Sequence, residues 1–230
     1  MIKRQLISFL SALAIATPAL AHPGGVNTPS PDLPPIVPDG VYLSPSDVHA
    51  RYSAGALEIV LSMLEHRPFA GQPVPPDPVG EKHHFESELR GLVSINGSPP
   101  QPILMTGPVD TIAYGRSPGQ LGTFDVEMLA MNLTGGPVMI RESPTKQSLG
   151  KTSITDIGPP GPGGPPDAGY HIDSFFDVFT ELSLDGGMTW IPKSGLRGTR
   201  VNLGGVPEPT SVILFALGLV GAAGFVGRRR

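Results

Sequence analysis

Two adjacent histidines, His83 and His84, stand among acidic residues and are the first candidates for chemistry. Imidazole and carboxylate groups are zinc ligands, and Glu81, Glu86 and Glu88 lie close to the pair in the sequence. Neighbouring residues of a strand point to opposite faces, however, so the two histidines cannot readily share one ion. The pattern therefore favours a solvated charged face over a metal site.

Three acidic residues at four-residue spacing, Asp173, Asp177 and Glu181, form a second candidate, because calcium prefers oxygen ligands. Residues four apart on a strand are separated by about 13 Å, too far for them to share one ion directly. This spacing also favours a solvated sheet face. The sequence thus predicts no metal, no cofactor and no catalytic residue at either place.

The segment Gly115-Arg116-Ser117-Pro118-Gly119 fits the Gly-x-Ser-x-Gly pattern of a nucleophile elbow. An elbow lies between a buried strand and a long helix. Gly122 and a strand pattern follow here instead, so the segment is predicted to be a surface loop.

The elements that position these residues are predicted to be strands. The 30 glycines and 28 prolines interrupt the chain every few residues, which suits short strands joined by turns. Apolar and polar residues alternate at 84–95, 109–114, 124–133, 138–141 and 172–184. About eight short strands without strand–helix alternation predict a mainly β fold, an antiparallel β-sandwich.

One segment carries two conflicting signals. Ser44 and Pro45 look like the cap and first residue of a helix, which predicts a short helix at residues 45–52. Leu57, Ile59, Leu61 and Met63 then alternate as in a strand. Residues 22–40 form a Pro-rich lead-in, expected to be extended and mobile, and residues 71–80 and 158–169 are expected to be loops.

Residues 183–190 read Ser-Leu-Asp-Gly-Gly-Met-Thr-Trp and are predicted to form the turn of a hairpin. The spacing of Ser183, Asp185, Gly187, Thr189 and Trp190 resembles the Asp-box of sialidases and other β-propellers. The resemblance implies a structural turn away from any catalytic site, with the aspartate accepting hydrogen bonds and the tryptophan packed beneath as a core plug. A propeller needs repeats, and the chain has one copy.

The C-terminal segment combines a short motif, an apolar stretch and a basic cluster. Val206-Pro207-Glu208-Pro209 precedes residues 210–227, which carry no charge and are long enough to cross a bilayer core. Arg228, Arg229 and Arg230 then form a cytoplasmic stop. This order resembles the PEP-CTERM sorting signal, which implies recognition by an exosortase-type membrane protease in bacteria that make exopolysaccharide.

The N-terminal segment has the features of a secretory signal peptide. Lys3 and Arg4 precede an apolar stretch, and the small residues Ala19 and Ala21 fit a signal peptidase site that would leave His22 as the first mature residue. A terminal histidine can chelate copper, but the Pro- and Gly-rich residues after it favour a mobile end rather than a copper site. The predicted organisation is a signal peptide at 1–21, the lead-in at 22–40, a β-rich domain at 41–203 and a sorting signal at 204–230.

Charge and composition exclude several function classes. Removing the five basic residues of the two ends leaves 11 Lys and Arg against 20 Asp and Glu, a net charge of −9, which disfavours nucleic-acid binding. The chain has no cysteine, which excludes disulfides, thiol catalysis and cysteine-ligated zinc. The expected function is that of an exported, non-enzymatic structural or interaction protein, with signal peptidase, the translocon and an exosortase as partners. The alternative is a protein that binds or acts on exopolysaccharide.

Overall fold

The computed structural model describes residues 24–38, 40–158 and 169–204, and within these ranges the regular elements are all strands. The strands are β1 (Val26–Thr28), β2 (Val41–Leu43), β3 (Ala50–Ala54), β4 (Leu57–Gln72), β5 (Gly80–Ile95), β6 (Gln101–Tyr114), β7 (Gly122–Gly135), β8 (Val138–Glu142), β9 (Ser148–Gly158), β10 (Gly169–Val178), β11 (Thr180–Ser183), β12 (Ile191–Pro192) and β13 (Thr199–Gly204). Strands β4 to β7 have 14 or 16 residues each and are longer than the sequence predicted.

Eight of these strands form a closed ring. Around the ring the order is β10, β13, β2, β4, β5, β6, β7 and β9, and each pairing is antiparallel. Strand β9 closes the ring, because it pairs with β7 on one side and with β10 on the other. The mainly β, antiparallel fold is therefore confirmed, but the sheet closes into a barrel instead of forming the two separate layers of the predicted sandwich. Closure removes the unpaired edges that two open sheets would leave.

A second group of short strands extends the sheet at the other ends of the long strands. Strand β8 pairs with residues 132–135 of β7, β11 pairs with β8, and β12 pairs with β11. Strand β3 pairs with residues 57–61 of β4, and a single bridge between Tyr52 and Lys193 joins β3 to the chain just after β12. Strands β4 and β7 thus carry different partners at their two ends, which accounts for their length.

An irregularity in β4 separates its two sets of partners. The pairing with β5 shifts register within residues 62–65, and Met63 adopts a left-handed backbone conformation with φ of 52°. A bulge of this kind bends a strand and changes which side chains face inwards. Leu61 is buried before the bulge, Leu64 and His66 are buried after it, and Met63 itself is exposed. The predicted alternation is therefore wrong at Met63.

The described residues 45–52 do not form the predicted helix. Ser44, the expected cap, instead accepts through its Oγ a hydrogen bond of 2.9 Å from Leu64 N. A single turn follows, in which Val48 N donates to Pro45 O at 3.0 Å. Strand β3 then begins, and its Tyr52 is fully buried. Strand pairing and burial outweigh the local helix-start signal here.

The described residues of the lead-in, 24–38 and 40, are part of the folded domain. Strand β1 pairs with residues 170–172 of β10, and Gly25 forms a bridge with Gly204. The domain therefore extends to the N-terminal side of the predicted boundary at residue 41. The connection at 73–79 between β4 and β5 has no strand, as expected for a loop, whereas residues 159–168 of the second expected loop lie outside the described residues.

The inward face of the sheet forms the core. Along β10, Ile172, Phe176 and Val178 are buried, as their alternation predicted, and Ser174 between them accepts a hydrogen bond of 3.4 Å from the buried Tyr42 Oη. Among the described residues no helix is long and apolar enough to cross a membrane. The predicted signal peptide at 1–21 and the predicted transmembrane segment at 210–227 lie outside those residues.

Candidate functional site

A cleft of about 770 Å³ lies between the lead-in and one end of the barrel. Its walls are the lead-in, the β4–β5 connection, the start of β5 and the turn after β6. The cleft brings together Glu81, His83, His84 and Arg116, although Arg116 is more than thirty residues away from the others in the chain. All four belong to segments that the sequence marks as candidates for chemistry, so the cleft is a candidate site.

Arg116 is the most deeply buried cation of the cleft, with a side chain that has no exposed surface. Its guanidinium donates to Glu81 Oε2, to Pro31 O at 2.6 Å and to Gln120 O at 3.1 Å. One side chain thereby ties the lead-in to β5 and to the turn after β6. That turn leads directly into β7, so the helix required by a nucleophile elbow does not follow Ser117.

Glu81 lies between Arg116 and His83. His83 Nε2 is 3.3 Å from Glu81 Oε1, an ion-pair distance without hydrogen-bond geometry, and His83 Nδ1 is 3.4 Å from Thr111 Oγ1. Burial of Glu81 opposes its ionisation, but the nearby His83 and the charge of Arg116 outweigh burial and lower the pKa of Glu81. The carboxylate is therefore ionised and serves as a structural anion.

Asp77, which also lines the cleft, is paired as well, whereas Asp32 accepts a hydrogen bond from Ser30 and has no cationic partner among the described residues. Lys82 Nζ lies 2.6 Å from Asp77 Oδ2, and this bond is the main reason why the pKa of Asp77 is lowered. His84 Nδ1 lies 2.6 Å from Asp110 Oδ1. Carboxylates that are ionised and bound by cations offer no general acid. No group of three or more His, Asp or Glu side chains suited to a metal ion occurs among the described residues.

The acidic row of β10 and β11 does not converge on one point. Asp177 receives two hydrogen bonds from Arg200, at 2.7 and 2.8 Å. Glu181 Oε2 accepts two from Arg141, at 3.0 and 2.6 Å, and Asp173 is exposed. The chain is also interrupted between β10 and β11, where a single continuous strand was predicted. Asp177 and Glu181 are therefore bound by different arginines, and the three acids do not form one site.

The hairpin turn between β11 and β12 is organised by Asp185. Thr189 donates to it twice, from N to Oδ1 at 2.9 Å and from Oγ1 to Oδ2 at 2.6 Å. Ser183 Oγ donates to Asp185 Oδ1 at 2.7 Å and accepts from Gly187 N at 2.8 Å. These bonds, led by that of the Thr189 hydroxyl, lower the pKa of Asp185 to about 2. The residues singled out by their spacing thus form one hydrogen-bonded turn.

Trp190 packs beside this turn but outside the barrel core. A Cβ atom placed on Gly187 would lie 3.5 Å from Trp190 Cζ2, which puts the indole against the turn. The guanidinium carbon of Arg141 lies 4.1 Å from the ring centre, within the range of a cation–π contact. Because the ring is only partly buried, the interpretation of Trp190 as a core plug is wrong.

Glu142 is a titratable group that sequence reasoning missed. Its Oε1 accepts a hydrogen bond of 3.0 Å from Ser148 Oγ, which in turn accepts one of 3.0 Å from Phe179 N at the break between β10 and β11. Burial raises the pKa of Glu142 to about 7, the Ser148 bond opposes this, and the charges of Glu127 and Glu181 add to it. No local pattern marks this residue, because its environment comes from distant strands.

His66 is the second missed residue, and it lies inside the barrel. Its ring centre is 6.5 Å from that of Tyr42, and its Nε2 has no hydrogen-bond partner among the described residues. Burial lowers the pKa of His66 to about 4. Two cavities of only about 30 and 40 Å³ adjoin the ring. The barrel interior is therefore a packed core rather than a ligand chamber.

Comparison with known families concerns the C-terminal segment, which lies outside the described residues. Residues 205–230 match the family model described as the PEP-CTERM protein-sorting motif. This range contains Pro207, Glu208 and Pro209 and the three terminal arginines. Comparisons with curated proteins and with solved structures found no match. The chain thus carries a PEP-CTERM protein-sorting motif next to a closed antiparallel β domain.

Proposed function

We propose that this protein is exported, processed by an exosortase-type membrane protease, and kept at the cell surface or passed into the surrounding matrix. The observation that carries the proposal is the match of residues 205–230 to the PEP-CTERM sorting motif. The N-terminal pattern supports it, because Ala19 and Ala21 fit a signal peptidase site after an apolar stretch. Signal peptidase, the translocon and the exosortase are the partners that this route requires.

We further propose that the barrel domain binds or scaffolds rather than catalyses. Support comes from the cleft, where Asp77 is bound by Lys82 and Glu81 by Arg116. A glycosidase needs a protonated carboxyl group and a second carboxylate about 5 to 10 Å away in a cleft. Glu142 has the raised pKa of a general acid, but it does not line this cleft.

The sorting motif is tested by replacing Pro207, Glu208 and Pro209 with alanine in the producing bacterium. We expect the variant to be exported but to keep its tail, because the signal peptide directs secretion and the protease reads the motif. Mass spectrometry of the C-terminal peptide measures this. The control replaces Pro73, Val74 and Pro75 of the β4–β5 connection with alanine and should be processed normally. Normal tail removal in the motif variant would contradict the assignment.

Carbohydrate binding is the second candidate. An open surface groove of about 630 Å³ beside Phe179 favours it, since a half-buried aromatic ring next to cationic side chains suits an acidic saccharide. Such binding would retain the exported domain in a polysaccharide matrix after its tail is removed.

A further inference from the structure

The cations of the described domain are paired with carboxylates except in one place. Of the 11 Lys and Arg residues left after the two ends are removed, eight have an Asp or Glu oxygen within 4.0 Å. These eight are Arg51, Arg67, Lys82, Arg90, Arg116, Arg141, Lys151 and Arg200. Lys146, Lys193 and Arg197 have no such partner among the described residues.

One of these cations, Arg197, lines the groove beside Phe179, and the other two contact residues that line it. Lys146 Nζ is 5.1 Å from the centre of the Phe179 ring, and Phe179 and Arg197 both line the groove. Lys193 Nζ donates to the carbonyl oxygen of Arg197 at 2.7 Å, which fixes the loop that carries Arg197. The pKa of Lys193 is lowered, first by burial and then by the charge of Lys146.

The groove combines an apolar floor with this cationic rim. Val48, Leu149 and Phe179 line it, and Leu149 is half exposed. The acid that lines the groove, Asp177, is already neutralised by its two hydrogen bonds with Arg200. The local potential is therefore positive, although the whole domain is strongly acidic. The repulsion between like charges at a surface decreases when an anion binds between them.

We propose that this groove binds the carboxylate or sulfate groups of an acidic polysaccharide chain. A charged sugar has an apolar ring face and an anionic group at the ring edge, which matches an aromatic floor with cations around it. A nucleic acid presents a continuous array of phosphates, which the excess of acidic over basic residues in the domain would repel outside the groove. Lys146 and Arg197 are exposed and bind one anionic group weakly, and a polymer gains affinity by presenting many such groups.

The proposal rests on export, because it is outside the cell that the groove would meet such chains. The test uses the purified full chain in detergent and fluorescently labelled polygalacturonate as the carboxylate probe. Dextran sulfate is the sulfate probe, and uncharged dextran of the same length is its matched control. Affinity is measured by fluorescence polarisation at low and at physiological salt.

The decisive variant is Lys146→Gln with Arg197→Gln. Both side chains are exposed, so the domain should keep its melting temperature. We expect affinity for polygalacturonate or dextran sulfate to fall by about fivefold or more. The matched control, Arg67→Gln with Arg90→Gln, removes the same charge from β4 and β5 and should change affinity by less than about twofold.

Three results would overturn the proposal. Equal losses in the two double variants would mean that net charge and not the groove determines binding. Equal affinity for uncharged dextran would show that the cations do not contribute to binding. Tighter binding of polyphosphate or duplex DNA than of either acidic polysaccharide would identify a phosphate polymer as the partner.

Failure of the export proposal gives a different signature. A chain that is processed normally but does not bind either acidic probe contradicts the groove assignment alone. A chain that binds through Lys146 and Arg197 but keeps its tail in the producing bacterium contradicts exosortase processing and leaves the chemistry of the groove intact.

Discussion

The guanidinium of Arg116 is completely buried in the wall of the cleft and is bound by the carboxylate of Glu81. Taking both charges out of water is unfavourable, and their attraction offsets this only if the remaining donors are also satisfied. The carbonyl oxygens of Pro31 and Gln120 accept hydrogen bonds from the other two guanidinium nitrogens. The pair therefore fastens the lead-in to the barrel, since Pro31 belongs to the lead-in.

Removing Arg116 should strongly destabilise the domain. We expect Arg116→Leu to lower the free energy of unfolding by about 3–5 kcal/mol, because Glu81 is left without its cation in a largely buried place. Urea denaturation measures the effect. The control, Arg90→Leu, breaks the exposed pair with Glu88 and should change the free energy of unfolding far less. Equal losses of unfolding free energy in the two variants would show that the buried pair contributes no more to stability than the exposed pair.

Asp185 should stabilise the β11–β12 turn through its hydrogen bonds with Thr189. We expect Asp185→Ala to lower the melting temperature at neutral pH, whereas Asp173→Ala, which removes an exposed acid of β10, should leave it nearly unchanged. The folded pKa of about 2 lies below the ordinary value of 3.8, so this contribution is present above pH 3.8 and is lost as the pH falls through 2. Thermal unfolding of both variants measures the effect. An unchanged melting temperature for Asp185→Ala would contradict a stabilising role of Asp185.

Glu142 should make the protein less stable as the pH rises. Its folded pKa of about 7 exceeds the ordinary 4.5, so its stabilising protonated form is fully present below pH 4.5 and is lost as the pH rises through 7. Glu142→Gln imitates the protonated form and keeps an acceptor for Ser148. We expect it to be more stable than the wild type by about 1–2 kcal/mol above pH 7, after allowance for partial solvation.

The two proteins should be equally stable near pH 4, as measured by urea denaturation across the pH range. Glu86→Gln serves as the control and should not alter the pH dependence. A wild type whose stability does not differ from that of Glu142→Gln at pH 8 would show that the carboxylate is fully solvated.

His66 should make the protein less stable as the pH falls. Its folded pKa of about 4 lies below the ordinary 6.5, so its contribution is present above pH 6.5 and is lost as the pH falls through 4. We expect the wild type to lose about 2–3 kcal/mol over this window, and His66→Leu to lose much less. Replacing the exposed His49 by Gln is the control. Parallel curves for the wild type and His66→Leu would contradict burial of the imidazole.

Patterns that depend on near neighbours were predictable. Alternation identified the inward face of β10, including Ile172 and Phe176, because a half-buried strand repeats every two residues. Turn chemistry located the hairpin at residues 183–190, because the bonds of Asp185 reach only residues within four positions. These features are local, and the sequence contains all of their determinants.

Features that depend on distant strands were not predictable. The bulge at Met63 reverses the inward face of β4, and its cause is the change of partner along that strand. Arg116 was assigned to a surface loop, yet Pro31 and Glu81 bury it from other parts of the chain. Closure of the barrel likewise depends on β9 meeting both β7 and β10.

The groove beside Phe179 was not predicted from the sequence for the same reason. Lys146 follows β8, whereas Lys193 and Arg197 follow β12, so no sequence window contains all three. Their lack of carboxylate partners becomes visible only when every other pair in the described domain is known. The chain is acidic overall, so its net charge alone disfavours an anion-binding site.

The intact mass of the protein recovered from the envelope or matrix of the producing bacterium shows whether both ends of the chain are removed during export. We predict a single mature species that begins at His22 and ends within the sorting motif at 205–230, without Arg228, Arg229 and Arg230. A protein recovered there with Met1 and Arg230 both in place would contradict the account.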